Sequence, residues 1–248
     1  MNTLVLRSIS GLVYILLFLG AIYVPREEVF FMWCALLGIG AALEIRGMFR
    51  LPRQVVFVSS SVILILAYMS ESKTLFIYAG VLATLLMSIT LFKKCKNNYF
   101  HRYFSPLYAV LGIFNLFLIY QLNTMWCLGI LLLVWTNDSM AYLVGSKIGK
   151  TKVSSISPNK SLEGYLGGTL ATVLVGYFLN QYLPLPHWLI LSITTSLLAN
   201  LGDLVASKMK RLNHVKDSGR VIPGHGGILD RIDSLIYLSP VIYLLLTL

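Results

Sequence analysis

Long apolar runs separated by short polar segments form the pattern of this chain. The runs lie near residues 9–24, 29–48, 54–69, 74–92, 104–122, 125–146, 162–184, 187–209 and 228–247. A helix crosses the hydrocarbon core of a bilayer with about 20 apolar residues, and most of the runs approach that length. Because backbone groups in lipid must pair within their own segment, these runs predict helices. We therefore expect an all-α polytopic membrane helix bundle of about nine transmembrane helices.

Composition and charge support this prediction and add an orientation. Hydrophobic residues make up 57% of the chain and charged residues only 12%, and the mean hydropathy is +0.77. The basic residues, apart from Arg7, Arg26 and Lys73, cluster after the second, fourth, sixth and eighth predicted helices. Positive loops stay in the cytoplasm, so we expect a multi-pass protein of the cell's inner (cytoplasmic) membrane. No basic run alternates with base-stacking aromatics, so the net charge of +10 reflects topology rather than nucleic-acid binding.

Acidic residues are distributed unevenly between the two halves of the chain. The first half has one acid well inside a predicted helix, Glu44, which we expect to reach the interface or to pair with Arg46 or Arg50. The second half has acids in or beside the cytoplasmic helix ends at Asp138, Glu163, Asp203, Asp217, Asp230 and Asp233. Because an acid inside a membrane helix is costly, such residues indicate function. We therefore expect residues 1–124 to form about five N-terminal membrane helices and residues 125–248 to form the catalytic part.

The loop "VGSKIGKTKVSSISPNKSLEGYLGG", residues 144–168, combines lysines with hydroxyls ahead of a helix start. It is not a P-loop, because only three residues separate the glycines of "GSKIGKT" and a membrane helix precedes it. Ser157, Lys160 and the free amides of the following helix N-terminus suit a phosphate, although a loop that contacts lipid headgroups would have a similar composition. Gly164, Gly167 and Gly168 predict a close approach between helices.

Two later helices each present carboxylates near their cytoplasmic ends. On the eighth, Asn200, Asp203 and Ser207 share one face, and on the ninth Asp230 and Asp233 lie three residues apart. The segment "GRVIPGHGG" between these helices is too rich in glycine for a helix and suits a tight loop that approaches a ligand closely. Carboxylate pairs beside Lys and Arg hold Mg²⁺ together with nucleotide phosphates. A helix-capping role would explain Asp230 alone.

Residues 207–233, "SKMKRLNHVKDSGRVIPGHGGILDRID", resemble the signature of the phosphatidate cytidylyltransferase (CDP-diacylglycerol synthase) family. Its fixed positions are met by Ser207, Lys210, Arg211, Lys216, Asp217, Gly219, Pro223, His225, Gly226, Gly227, Asp230, Arg231 and Asp233. Upstream, "NDSMAYLVGSKIGKTK" and "ISPNKSLEG" are also similar to that family, with Asn159 and Ser161 where Lys and Thr are common. The resemblance is strong over about 135–248 and is limited to general hydropathy before that.

The resemblance implies an enzyme that joins CTP to phosphatidic acid at the cytoplasmic side of the membrane, giving CDP-diacylglycerol and pyrophosphate. It implies a catalytic set of Asp203, Lys210, Arg211, His225, Asp230 and Arg231. It implies substrate-binding roles for Ser157, Lys160, Ser207, Lys208, Lys216, Asp217, Gly226 and Gly227. Asp203 and Asp230 would hold Mg²⁺, with Asp138 and Asp233 as secondary candidates; Asp233 could instead orient Arg231. A second cation and a homodimer are left open, and His225 could serve the loop rather than the substrate.

Two other functions remain alternatives. A polyprenol kinase would also need CTP and a metal ion, but it would transfer the γ-phosphate. A cation-coupled transporter would keep acids in its helices, although usually along a path through the membrane midplane rather than clustered on one side. A CDP-alcohol phosphotransferase would need the motif D-G-x-x-A-R, and the chain contains no "DG".

The charge pattern makes a direct prediction of topology. A reporter that is active only in the cytoplasm should be active when fused after residue 97 or residue 214, and silent after residue 71 or at the C-terminus. Reporter activity in whole cells measures this, with fusion abundance as the control. An active C-terminal fusion would contradict nine transmembrane helices.

Overall fold

The computed structural model of the chain describes residues 3–92, 99–183, 185–222 and 226–248. Over those residues it forms nine α-helices, each on one of the predicted apolar runs. They are α1 (Thr3–Tyr23), α2 (Glu27–Phe49), α3 (Arg53–Met69), α4 (Thr74–Phe92), α5 (Tyr99–Leu122), α6 (Thr124–Ile148), α7 (Leu162–Tyr182), α8 (Trp188–Leu212) and α9 (Leu229–Thr247). Helices α1 and α5 begin earlier than predicted, because each continues through a polar turn, containing Arg7 or Arg102, that hydropathy does not assign to a span.

Six helices of the described part are long and apolar enough to cross a membrane: α2, α4, α5, α6, α7 and α8. The apolar part of α1, Ile9–Tyr23, and the whole of α3 are shorter. The first two turns of α9 contain Asp230, Arg231 and Asp233, and these charges lower the hydropathy of that end of the helix. The chain is therefore an all-helical, multi-pass membrane protein, with six candidate spans among its described helices.

Helix α5 lies at the centre of the first half, and 78% of its membrane-length window is buried. It packs against α2, α3, α4 and α9. Helix α9 also packs against α8, where a side chain on Gly202 would come within 2.7 Å of the Tyr237 Cβ. The Tyr237 hydroxyl lies 2.6 Å from the Ser88 hydroxyl of α4. Helix α9 is thus in contact with helices from both halves, and its charged N-terminal turns lie where those helices meet.

Glycines bring α6 and α7 into close contact, as the sequence predicts. A Cβ on Gly164 would lie 2.7 Å from the Ala141 carbonyl oxygen, and one on Gly168 would lie 2.8 Å from the Asn137 carbonyl oxygen. A Cβ on Gly167 would meet the Val144 side chain at 2.6 Å. The prediction of close helix approach at these three glycines is confirmed.

The close contact between α6 and α7 predicts that an added methyl group lowers stability at Gly168 but not at Gly47. Gly168→Ala should lower stability by about 1–3 kcal/mol, the usual cost of overpacking. Gly47→Ala in α2 is the matched control, because nothing lies within 4 Å of its added Cβ. The control should be neutral or more stable by up to about 1 kcal/mol, from helix propensity. Thermal unfolding in detergent measures both, and equal midpoints for the two variants would contradict the close contact.

Candidate active site

Charged side chains of the second half converge on one cavity of about 430 Å³. It lies among α6, α7, α8 and α9, with the loop 149–161 and Asp217 at its edge. Asp217 begins the signature segment, our name for residues 217–228 between α8 and α9, of which 223–225 lie outside the described residues. Five aspartates and three basic residues are among its lining residues: Asp138, Asp203, Asp217, Asp230, Asp233, Lys160, Lys210 and Arg231. Eight of the residues that the sequence predicts as functional are therefore brought together.

The loop between α6 and α7 is held in a closed shape that directs Lys160 into this cavity. The Glu163 carboxylate accepts hydrogen bonds from the backbone amides of Lys150 at 3.0 Å and Thr151 at 3.1 Å. Ser161 caps α7 by accepting from the Gly164 amide at 3.1 Å. Lys160 forms an ion pair with Asp203 of α8. Burial lowers the pKa of Lys160 to about 8, while the attraction of Asp233 and Asp138 acts in the opposite direction.

Asp230 uses both carboxylate oxygens to connect α8, α9 and the segment between them. Its Oδ1 accepts from the Lys210 ammonium at 2.7 Å, in an ion pair whose side chains are only 11% and 8% exposed. Its Oδ2 accepts from the Ser218 amide at 2.8 Å, the Ser218 hydroxyl at 3.0 Å and the Gly227 amide at 3.0 Å. Asp230 therefore does more than cap α9: it fixes both ends of the signature segment.

Glu44 of α2 holds the same segment from the other side. Its carboxylate accepts from the Ser218 hydroxyl at 2.7 Å, the Ile228 amide at 2.8 Å and the Leu229 amide at 2.9 Å. The expectation that Glu44 pairs with Arg46 or Arg50 was wrong, because the free amides at the start of α9 are its partners instead. Arg46 instead donates to the Leu51 carbonyl at 2.8 Å. The signal that could have found Glu44 was its isolation as the one acid within an apolar run.

Steric constraints explain why glycine occupies positions 226 and 227 of the signature segment. Gly226 has φ of +85°, a left-handed conformation that L side chains rarely adopt. A Cβ on Gly227 would collide with the Glu44 carboxylate and the Ser218 hydroxyl. The Ile222 amide donates to the Gly226 carbonyl at 2.9 Å. The tight loop that the sequence predicts between them falls on residues 223–225, outside the described residues.

Buried amides support the floor of the cavity. Asn137 of α6 is fully buried and donates to the Asn200 side chain on α8 at 3.1 Å. It accepts from the Ser196 hydroxyl at 2.7 Å. Asn200 and Asp203 share the predicted face of α8, so this network fixes the helix that carries Asp203.

Several predicted residues lie away from the cavity lining. Lys208 donates to the Thr90 and Leu91 carbonyls at the end of α4, and Arg211 donates to the Val215 carbonyl at 2.8 Å. Ser157, Lys216, Gly226 and Gly227 are also outside the lining, as is Ser207, whose hydroxyl lies 3.5 Å from Asp203 Oδ1. Within the described residues, neither Asp233 nor Arg231 forms an ion pair, with the other or with a third residue. His225 lies outside the described residues.

The donor set of the cavity fits a divalent cation such as Mg²⁺. Its aspartates outnumber its basic residues by two, and an uncompensated carboxylate is costly away from water. In the described part of the chain, no three acidic, histidine or cysteine side chains surround a single point. Mg²⁺ does not need such a cage, because it is usually held by one or two carboxylates together with substrate phosphates and waters.

Comparison with known sequences decides the family. The cytidylyltransferase family matches residues 5–248. The chain belongs to the cytidylyltransferase family. The match covers α1–α5 as well as the signature, so membership extends over the first half, where the resemblance in sequence was only general.

Individual relatives of this cytidylyltransferase-family chain align over less than half of its length. It is 50% identical over 120 residues to the phosphatidate cytidylyltransferase of Bacillus subtilis, covering 46% of this chain and 45% of that protein. It is 47% identical over 120 residues to that of Staphylococcus epidermidis, covering 46% of each chain. It is 46% identical over 114 residues to that of Synechocystis, covering 44% of this chain and 39% of that protein. The chain thus spans less than half the length of these relatives.

The contacts of Glu44 predict a role in holding the signature segment. Glu44→Gln should loosen that segment by about 1.5–3 kcal/mol, because amide and hydroxyl donors lose a charged acceptor. Amide hydrogen exchange at residues 218, 228 and 229 measures this. Glu71→Gln, in an exposed loop, is the control and should leave the exchange unchanged. Ser218→Ala should have a similar effect, and the double variant should be less than additive. Unchanged protection in Glu44→Gln would contradict the role.

Proposed function

We propose that this chain transfers the cytidylyl group of CTP to phosphatidic acid, giving CDP-diacylglycerol and pyrophosphate. One observation carries the proposal: Asp203 and the signature residues Lys210, Asp230 and Arg231 line one cavity of about 430 Å³, together with Asp138 and Lys160 from earlier in the chain. The name phosphatidate cytidylyltransferase borne by its relatives agrees with this reaction.

In the proposed reaction, an oxygen of the lipid phosphate attacks the α-phosphorus of CTP. A new phosphorus–oxygen bond forms, the bond between the α-phosphorus and the bridging oxygen breaks, and pyrophosphate leaves with the bonding electrons. The lipid phosphate is already an anion, so no strong general base is needed. Charge develops on the phosphate oxygens, and positioned cations that meet it are the main source of rate enhancement in such reactions.

Lys160, Lys210 and Arg231 are the basic side chains that line the cavity. Lys160 and Lys210 are paired with Asp203 and Asp230, so their ammonium groups are fixed before any substrate arrives. Fixed cations need little reorganisation when charge develops. We assign these three residues to the substrate phosphates.

Asp203 and Asp230 are the proposed Mg²⁺ ligands, with Asp138 and Asp233 as secondary candidates. A bound Mg²⁺ would neutralise phosphate charge and act as a Lewis acid. The positions of the four carboxylates, near the helix ends that the charge pattern assigns to the cytoplasm, suit two substrates of different origin. Phosphatidic acid is anchored in the leaflet, whereas CTP is dissolved in the cytosol of the same cell.

The reaction is tested with the purified chain, phosphatidic acid, Mg²⁺ and CTP labelled at either the α- or the γ-phosphate. The α-label should appear in a lipid product and the γ-label in pyrophosphate. Transfer of the γ-label to a lipid alcohol would indicate a polyprenol kinase instead. Ion-dependent solute uptake into vesicles without any nucleotide product would indicate a transporter.

Asparagine substitutions test the metal ligands separately from the loop. Asp203→Asn and Asp230→Asn should each lower turnover by about a hundredfold or more, because several kcal/mol of metal-dependent stabilisation are lost. If these residues hold Mg²⁺, the concentration of Mg²⁺ giving half-maximal rate should also rise. The double variant should be far less than additive, since both residues serve one ion. If Asp230→Asn is folded and slower but has an unchanged Mg²⁺ dependence, Asp230 holds the signature segment and does not bind the metal ion.

A further inference from the structure

A second, apolar depression lies beside the charged cavity. It has a volume of about 390 Å³ and is formed by α1, α2 and the signature segment. Its lining includes Val13 and Leu17 of α1, Leu36 of α2, and Ile222 and Ile228 of the segment. We call it the α1–α2 groove. Because its lining is almost wholly apolar, it suits hydrocarbon rather than nucleotide.

The α1–α2 groove adjoins the charged cavity through a third space. An intermediate space of about 290 Å³ shares Ser10, Tyr14 and Ile222 with the groove. The same space shares Asp138, Asp230, Asp233, Arg231 and Ser234 with the charged cavity. A single molecule could therefore lie with an anionic end among those charges and an apolar end in the groove.

Two buried polar atoms lie in side chains that line this groove. The Tyr14 hydroxyl and the Trp33 indole N–H have no hydrogen-bond partner among the described residues. A buried donor without an acceptor usually costs 1–3 kcal/mol, so such groups tend to be satisfied by a ligand or water. The occupant of the groove should therefore be apolar but should carry acceptor oxygens near its polar end.

We propose that the α1–α2 groove binds the diacylglycerol part of phosphatidic acid, with an ester oxygen accepting from Tyr14 or Trp33. A phosphatidic acid molecule combines the three required features: an anionic phosphate, ester acceptors next to it, and acyl chains. This inference rests on the proposed function for the identity of the lipid, but the binding itself does not require turnover. The signature segment then serves both ends of the substrate, because its Asp217 lines the charged cavity and its Ile222 lines the groove.

Photo-crosslinking tests the binding without relying on catalysis. A phosphatidic acid with a photoreactive group in its acyl chain should label residues 9–17 and 33–37 of the full chain in detergent. Excess unlabelled phosphatidic acid should reduce this labelling, and excess phosphatidylcholine should not. Equal competition by phosphatidylcholine would mean that bulk lipid fills the groove, and labelling elsewhere would mean that the acyl chains bind elsewhere; either result overturns the inference.

Matched tryptophan substitutions test the shape of the groove. Leu17→Trp would fill it, whereas Leu16→Trp places the same side chain on the same helix outside the lining; the two leucines are similarly exposed, at 53% and 58%. Leu17→Trp should reduce the crosslink and lower kcat/KM for long-chain relative to short-chain phosphatidic acid, because the longer chain no longer fits the groove. Leu16→Trp should retain both properties. Identical crosslinks and identical chain-length profiles for the two variants would overturn the inference.

The polar contacts are tested by Tyr14→Phe and Trp33→Phe, with Tyr23→Phe, an exposed tyrosine of the same helix, as the control. Each groove variant should raise the KM for phosphatidic acid by about three- to tenfold, the usual effect of one hydrogen bond, and leave the KM for CTP unchanged. Equal changes in both KM values would indicate a general structural effect and count against the groove. If the wild-type chain forms no CDP-lipid, the proposed function fails, and the crosslink still decides whether the lipid occupies the groove.

Discussion

The candidate site depends on two carboxylates that hold one glycine-rich segment from opposite sides. The Ser218 hydroxyl lies within hydrogen-bond distance of both carboxylates, 2.7 Å from Glu44 and 3.0 Å from Asp230, and each carboxylate also accepts from backbone amides close to the start of α9. A segment with so many glycines has little conformational preference of its own. Its shape is therefore imposed by partners that lie far away in sequence. Because Asp230 also binds Lys210, the order of the segment and the charge of the cavity are coupled.

The same arrangement explains how a predominantly apolar chain tolerates a concentrated set of charges. Lys160 pairs with Asp203 and Lys210 pairs with Asp230, so two of the most costly carboxylates are compensated by cations from a neighbouring loop or helix. Breaking a buried pair by removing one partner leaves an uncompensated charge, which is strongly destabilising. The remaining aspartates of the cavity form no ion pair within the described residues, so the cavity keeps an excess of negative charge that the proposed cation would offset.

Helix α9 connects these features to the rest of the bundle. Its first turns lie at the charged cavity, while its later turns pack against α4, α5 and α8. The first half of the chain therefore contributes more than a membrane anchor: α2 supplies Glu44, and α1 and α2 form the apolar groove that meets the charged cavity. A lipid substrate with an anionic head and an apolar tail needs both environments next to each other. The charged cavity and the apolar groove adjoin because the two halves of the chain pack against each other.

The sequence alone was sufficient to predict the helices, because an apolar run of membrane length has few alternatives in lipid. It also identified the charged residues of the cavity, such as Asp203, Asp230 and Lys210, because their spacing on helices and their signature are local properties. Local spacing could not reveal which distant groups meet. Glu44 precedes Ser218 by 174 residues, and Lys208, although within the signature, points to the end of α4. Those choices were decided by tertiary packing, since a side chain pairs with the donors and acceptors that the folded bundle places within its reach.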